Sequence, residues 1–137
     1  MVSTSGTQLL PHNTVTELRK HLLPLATILT PNIPEARLLC ENSTGDKYPE
    51  PQSLDDLINL AKRAQALGVD WVLLKGGHLP MTRDYRATEK NSSEPLVVVD
   101  ILYNGSELQL IETAYIHSTS THGTGCSLAC KLPVQHP

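Results

Sequence analysis

Ser53-Leu-Asp-Asp-Leu-Ile-Asn-Leu-Ala-Lys-Arg-Ala-Gln-Ala-Leu-Gly-Val-Asp-Trp-Val-Leu-Leu-Lys-Gly-Gly77 is the stretch whose reading decides the fold. Leu54, Leu57, Ile58, Ala61, Ala64 and Leu67 recur at three- and four-residue steps, which lays one apolar stripe along a helix. Ser53 caps that helix and Gly68 ends it. The period then changes. Trp71-Val-Leu-Leu-Lys75 is almost continuously apolar, as expected for a strand covered on both faces, and it runs into Gly76-Gly77-His78, where a ligand can approach the backbone closely. A helix feeding a buried strand is part of a repeating βα pattern. The fold class expected is therefore α/β, a doubly wound and mostly parallel sheet flanked by helices.

The flanking segments extend this pattern. Toward the N-terminus, Thr14 to His21 reads as a short helix stopped by Pro24, and Leu25-Ala-Thr-Ile-Leu-Thr30 as a buried strand. Asn32 follows at the strand's C-terminal edge and opens a helix from Ile33 to about Cys40. Pro34 lies in its first turn and Glu35 reaches back to the cap, so Asn32-x-x-Glu35 is a capping box. Glu41 to Gln52 reads as an exposed connection. Toward the C-terminus, Pro80 to Pro95 reads as a polar, mobile connection. Leu96–Tyr103 and Glu107–Ile116 then flank Asn104-Gly105, which predicts an antiparallel hairpin closed by a type I′ turn at one end of the sheet. A short helix beginning near Gly125 would stop at Pro133.

A chain of 137 residues is of single-domain size. With no Phe, one Trp and four Tyr, its core must rest on Leu, Val and Ile. A net charge of −3 gives no electrostatic reason to expect nucleic acid or an anionic membrane as partner, so a phosphate group needs a local site. No apolar run approaches the length of a membrane span, and Met1-Val-Ser-Thr-Ser-Gly6 has no signal-peptide character, which points to the cytoplasm. Cys40, Cys126 and Cys130 make an odd count without paired spacing, so reduced thiols are expected there.

Two places can hold phosphate chemistry. A glycine-rich turn opening a helix presents unpaired N–H groups and partial positive charge, which makes Gly123, Thr124 and Gly125 a candidate anion hole. The same field favours the thiolate of Cys126 as a base, although G-x-G turns are common and cysteines are more often packing residues. Lys75 at a strand end can neutralise nucleotide phosphate, and Glu35 can act on Mg²⁺ directly or through water. The plainer readings are a solvated lysine and a helix cap. His122, Cys126 and Cys130 do not make a convincing zinc set, and both the P-loop and the dinucleotide glycine fingerprint are missing.

Taken in order, Met1–Gly6, Leu29-Thr-Pro-Asn-Ile-Pro-Glu-Ala36, Leu74-Lys-Gly-Gly-His78, Asp100-Ile-Leu-Tyr-Asn-Gly105 and Thr121-His-Gly-Thr-Gly-Cys-Ser127 resemble the hydroxymethylpyrimidine/phosphomethylpyrimidine kinase family within the ribokinase-like superfamily. The resemblance covers nearly the whole chain. It implies an ATP- and Mg²⁺-dependent enzyme of thiamine biosynthesis acting on a small molecule, hydroxymethylpyrimidine and then its monophosphate. It implies further that Cys126 is the catalytic base and that Gly123, Thr124 and Gly125 form the anion hole. Asn32, Lys75, Gly76, Gly77 and Thr121 would contact ATP or its phosphates, and Glu35 would serve Mg²⁺. Asp100 is left structural.

The resemblance also marks residues 1–137 as a partial domain. The family's domain is roughly twice as long, its N-terminal half supplies the pyrimidine pocket, and long helices follow the H-G-T-G-C-S motif. Unpaired sheet edges would then favour partner assembly, including a homo-oligomer. Two other readings stand beside the kinase: a non-catalytic fragment, and a pyridoxal or pyridoxamine kinase relative.

Overall fold

The computed structural model describes residues 12–41, 48–77, 79–89 and 93–116. Helix α1 (His12–Glu17) loosens into a π turn (Leu18–Leu22) and a 3₁₀ turn (Leu23–Leu25) that contains Pro24. Strand β1 (Ile28–Leu29) follows, then α2 (Ile33–Leu39) and α3 (Leu54–Gln65). Strands β2 (Trp71–Leu74), β3 (Val97–Tyr103) and β4 (Leu108–Ala114) complete the described elements.

The sheet order is β1-β2-β3-β4. Strands β1 and β2 are parallel, whereas β2–β3 and β3–β4 are antiparallel. The expected α/β architecture is present, with the hairpin at one end of the sheet. Parallel pairing among the described strands is confined to β1–β2, because no crossover helix among the described residues links β2 to β3.

Helix α3 forms where the stripe predicts it. The Ser53 hydroxyl accepts the Asp56 N–H at 3.3 Å, Asp55 and Asp56 sit in the first turn, and Lys62 and Arg63 in the last, which suits the helix dipole at both ends. Its buried residues Leu57, Leu60, Ala61 and Ala64 join Val72 and Leu74 of β2 and Val99 and Ile101 of β3 in the core. Leu60, passed over by the predicted stripe, is fully buried, while Leu54, Ile58 and Leu67 are flanks. At Gly68 the chain turns out of the helix with φ of 115°, a conformation glycine adopts without strain.

Three expectations are corrected. The segment Leu25–Thr30 is not a six-residue buried strand. Leu25 is consumed by the 3₁₀ turn, which Ala26 N–H closes onto the Leu23 carbonyl, and it stands 81% exposed. What remains is the two-residue edge β1. The polar stretch after Pro80 is pinned where Met81, fully buried, exchanges both backbone hydrogen bonds with Val97 at 2.8 and 2.9 Å. A turn over Thr82–Arg86 then brings Leu54 N–H to the Tyr85 carbonyl at 3.1 Å, so one apolar residue anchors an otherwise polar segment. Finally, the β3–β4 turn is not type I′. Tyr103 pairs with Leu108, leaving residues 104–107 as the loop, and only Gly105 takes positive φ there. The Asn104 side chain explains this, since its oxygen accepts the N–H groups of Ser106 and Glu107 at 2.9 and 2.6 Å, an Asx arrangement that replaces a left-handed Asn.

Candidate functional site

Three chain segments meet at the end of the sheet where β1 and β2 both terminate. From β1 the chain passes through Pro31 to Asn32, whose backbone bridges in parallel to Lys75, while Lys75 N–H donates to the Pro31 carbonyl at 2.9 Å. Continuing the Leu74–Ile101 register by one residue sets Lys75 opposite Asp100 of β3. Strand ends of this kind are where open α/β sheets bind ligands.

Asn32 and Glu35 form the expected capping box. The Asn32 side chain accepts the Glu35 N–H at 2.8 Å and the Glu35 carboxylate accepts the Asn32 N–H at 3.0 Å. Cap and ligand roles are compatible at Asn32, which is half-buried. Glu35 has Oε2 in the cap, and a single carboxylate suits Mg²⁺ held mainly by nucleotide phosphates and water. Among the described residues no group of three or more His, Cys, Asp or Glu could enclose a metal.

The two glycines after Lys75 differ sharply. Gly76 is buried, and a Cβ there would stand 1.9 Å from the Val99 carbonyl oxygen. Glycine is required at this point for close approach of β3. Its N–H is already spent on the Asp100 carboxylate at 2.8 Å. Gly77 is exposed, with nothing within 4 Å of an added Cβ, so it is the glycine that faces open space.

Asp100, left structural in the sequence reading, ties β3 to the turn after β2 through its bond from the Gly76 N–H. Burial pushes its carboxyl above the usual carboxylate range, while the Gly76 N–H and the positive charge of Lys75 pull it back down. The signal was an acid inside an apolar strand run, Leu96-Val-Val-Val-Asp-Ile-Leu-Tyr103, since an acid so placed needs a donor. Cys40 lies outside this cluster. It is buried and free, and burial pushes its thiol up to about 11, which makes it a packing residue rather than a base.

The structure thus brings Asn32, Glu35, Lys75, Gly76 and Gly77 to one end of the sheet. Thr121, Gly123, Thr124, Gly125 and Cys126 lie outside the described residues, as do His78 and the remaining zinc candidates. No helix among the described residues is long and apolar enough to cross a membrane.

Comparison with known proteins gives this cluster its context. A hydroxymethylpyrimidine/phosphomethylpyrimidine kinase of Bacillus subtilis is 35% identical over 135 residues, which are 98% of this chain and 42% of the relative. The crystal structure of Clostridium difficile phosphomethylpyrimidine kinase matches with a TM-score of 0.57 and 32% identity, over 80% of this chain and 38% of that one. An ADP complex of Bacillus subtilis pyridoxal kinase matches with a TM-score of 0.66 and 31% identity, over 94% and 41%. Across eight of its curated relatives the chain spans between 21% and 43% of their length. The phosphomethylpyrimidine kinase family model matches residues 1–134. With a match of that extent over a sheet that joins the Asn32–Glu35 cap to the Lys75–Gly77 turn, the chain belongs to the phosphomethylpyrimidine kinase family.

Proposed function

We propose that this chain carries the nucleotide side of an ATP-dependent kinase that phosphorylates hydroxymethylpyrimidine and then its monophosphate, on the way to thiamine diphosphate. The observation that carries the reading is the convergence of Asn32, Glu35 and Lys75-Gly76-Gly77 at one end of the sheet. Lys75 neutralises phosphate charge, Gly77 lets phosphate approach the backbone, and Asn32 and Thr121 complete the nucleotide contacts, with Gly76 packing the turn beneath them. Glu35 would hold Mg²⁺ through water, and the ion's chemistry is to neutralise charge on the nucleotide phosphates.

In the transfer itself, the Cys126 thiolate removes the proton of the substrate hydroxyl. That oxygen bonds to the γ-phosphorus as the bond to the β–γ bridging oxygen breaks, releasing ADP. Gly123, Thr124 and Gly125 hold the charge that develops on the transferring group. The cytoplasm is the compartment proposed for this chemistry. The exposed apolar residues of the β4 edge, Leu108, Leu110 and Ile111, support association into a homo-oligomer.

Titration of the purified chain with Mg-ATP by calorimetry tests the nucleotide half. Saturable binding weakened by about tenfold in Lys75→Ala and preserved in Cys126→Ser is expected. Folded protein that binds no Mg-ATP overturns the reading and leaves a non-catalytic fragment. A second reading, a pyridoxal kinase relative, draws on the pyridoxal kinase match, whose TM-score exceeds that of the pyrimidine kinase structure. Competitive turnover of hydroxymethylpyrimidine and pyridoxal by a full-length homologue separates the two, and preference for pyridoxal favours the second.

A further inference from the structure

We propose that Asp100 is a positioning residue of the phosphate site. Its carboxylate holds the Gly76 amide inward and so sets the direction in which Lys75 and Gly77 leave strand β2. This rests on the reading of Lys75–Gly77 as a phosphate-binding turn.

Both backbone polar groups of Gly76 are engaged within the protein. The N–H donates to Asp100 Oδ1 at 2.8 Å across 24 positions of sequence, and the carbonyl accepts the Leu79 N–H at 2.9 Å, closing a turn over residues 76–79. The turn has no slack on its β3 side, where a Cβ on Gly76 would meet Val99 backbone. On the β1 side, Lys75 is fixed through its bond to Pro31. Among the described residues of this turn, Gly77 is the exposed one, with free space around its α-carbon. Asp100 is thus the side-chain member of a clamp otherwise made of backbone, and it draws Gly76 onto β3 so that the next residue points outward.

A half-buried carboxylate is a costly way to fill a strand position, and an apolar residue would serve packing better. What it supplies is an acceptor for an N–H that β3 backbone does not take. Lys75 is the charged group facing it, so a plain ion pair between the two is the rival account. Asparagine separates these accounts, because it keeps an oxygen acceptor and discards the charge.

The test is made on the full chain with Asp100→Ala and Asp100→Asn, reading Gly76 amide exchange by NMR and Mg-ATP affinity by calorimetry. Asp100→Ala is expected to speed Gly76 exchange by about 10-fold and weaken Mg-ATP by about 5- to 10-fold. Asp100→Asn is expected to restore both to within about 2-fold. Unchanged Gly76 exchange in Asp100→Ala overturns the proposal, as does an Asn variant as impaired as the Ala variant, which assigns the effect to charge. If Asp100→Ala does not fold, Asp100→Asn alone decides: retained protection supports the clamp and lost protection overturns it. Should the unsubstituted chain bind no Mg-ATP, the nucleotide reading fails by itself, and the exchange comparison still decides whether Asp100 holds the turn.

Discussion

At position 76 a hydrogen atom stands where any side chain would collide with the Val99 carbonyl, while one residue later the same substitution meets nothing. Gly76→Ala is therefore expected to lower stability by about 3 kcal/mol, the upper end for overpacking, and Gly77→Ala to leave it within about 0.5 kcal/mol. Paired thermal melts read the contrast, and equal melting temperatures for the two variants would contradict the packing. Asp100 makes a pH-dependent prediction. Its folded pKa is raised above the ordinary value of 3.8 by burial. The stability this contributes is fully present below the unfolded pKa and is lost as pH rises through the folded value. The melting temperature of Asp100→Asn should therefore gain on that of the unsubstituted chain as pH climbs from 3.8 upward, and a flat difference across that window would show that Asp100 is not desolvated.

Helix α3 and the hairpin show what a periodic pattern reveals at the level of an element. The α3 stripe was legible because one apolar face repeats over three turns and is capped at both ends. Leu60 escaped it because the buried face is wider than a single stripe. Leu60→Ala is expected to cost about 2–5 kcal/mol, visible as a lower urea midpoint with an unchanged slope. Strand β1 was overread, since an apolar run bears the same letters whether it forms a strand or a 3₁₀ turn ahead of one. In the hairpin both strands were legible but the turn was not. Asn-Gly fits type I′, yet the choice fell to side-chain acceptance by Asn104, which depends on where Ser106 and Glu107 come to lie. Met81 was illegible for a related reason, as nothing local marks which residue of a polar stretch will enter the core.

Across the whole molecule, α/β character and the clustering of Asn32, Glu35 and Lys75 were legible, because strand ends followed by caps and glycines are local features. The role of Asp100 was not, since its partner lies 24 positions away and only the β2–β3 register brings them together. Among the described strands the sheet ends at β4, where all seven residues are exposed and Leu108, Leu110 and Ile111 each exceed 40%. An apolar edge of that length is a template for pairing with another chain. If the proposed homo-oligomer forms through this edge, Leu110→Lys reduces concentration-dependent light scattering several-fold, as charges on edges do, and scattering that is unaffected would overturn a role for β4 in association.

The two connections to β3 also differ in length, and this has a kinetic consequence. Residues 104–107 join β3 to β4, whereas β2 reaches β3 only after residues 75–96 have been looped out. Short loops close sooner and at lower entropic cost. The hairpin should therefore zip up within microseconds, while docking of β2, and with it the joining of Gly76 to Asp100, belongs to the late, slow phase of refolding.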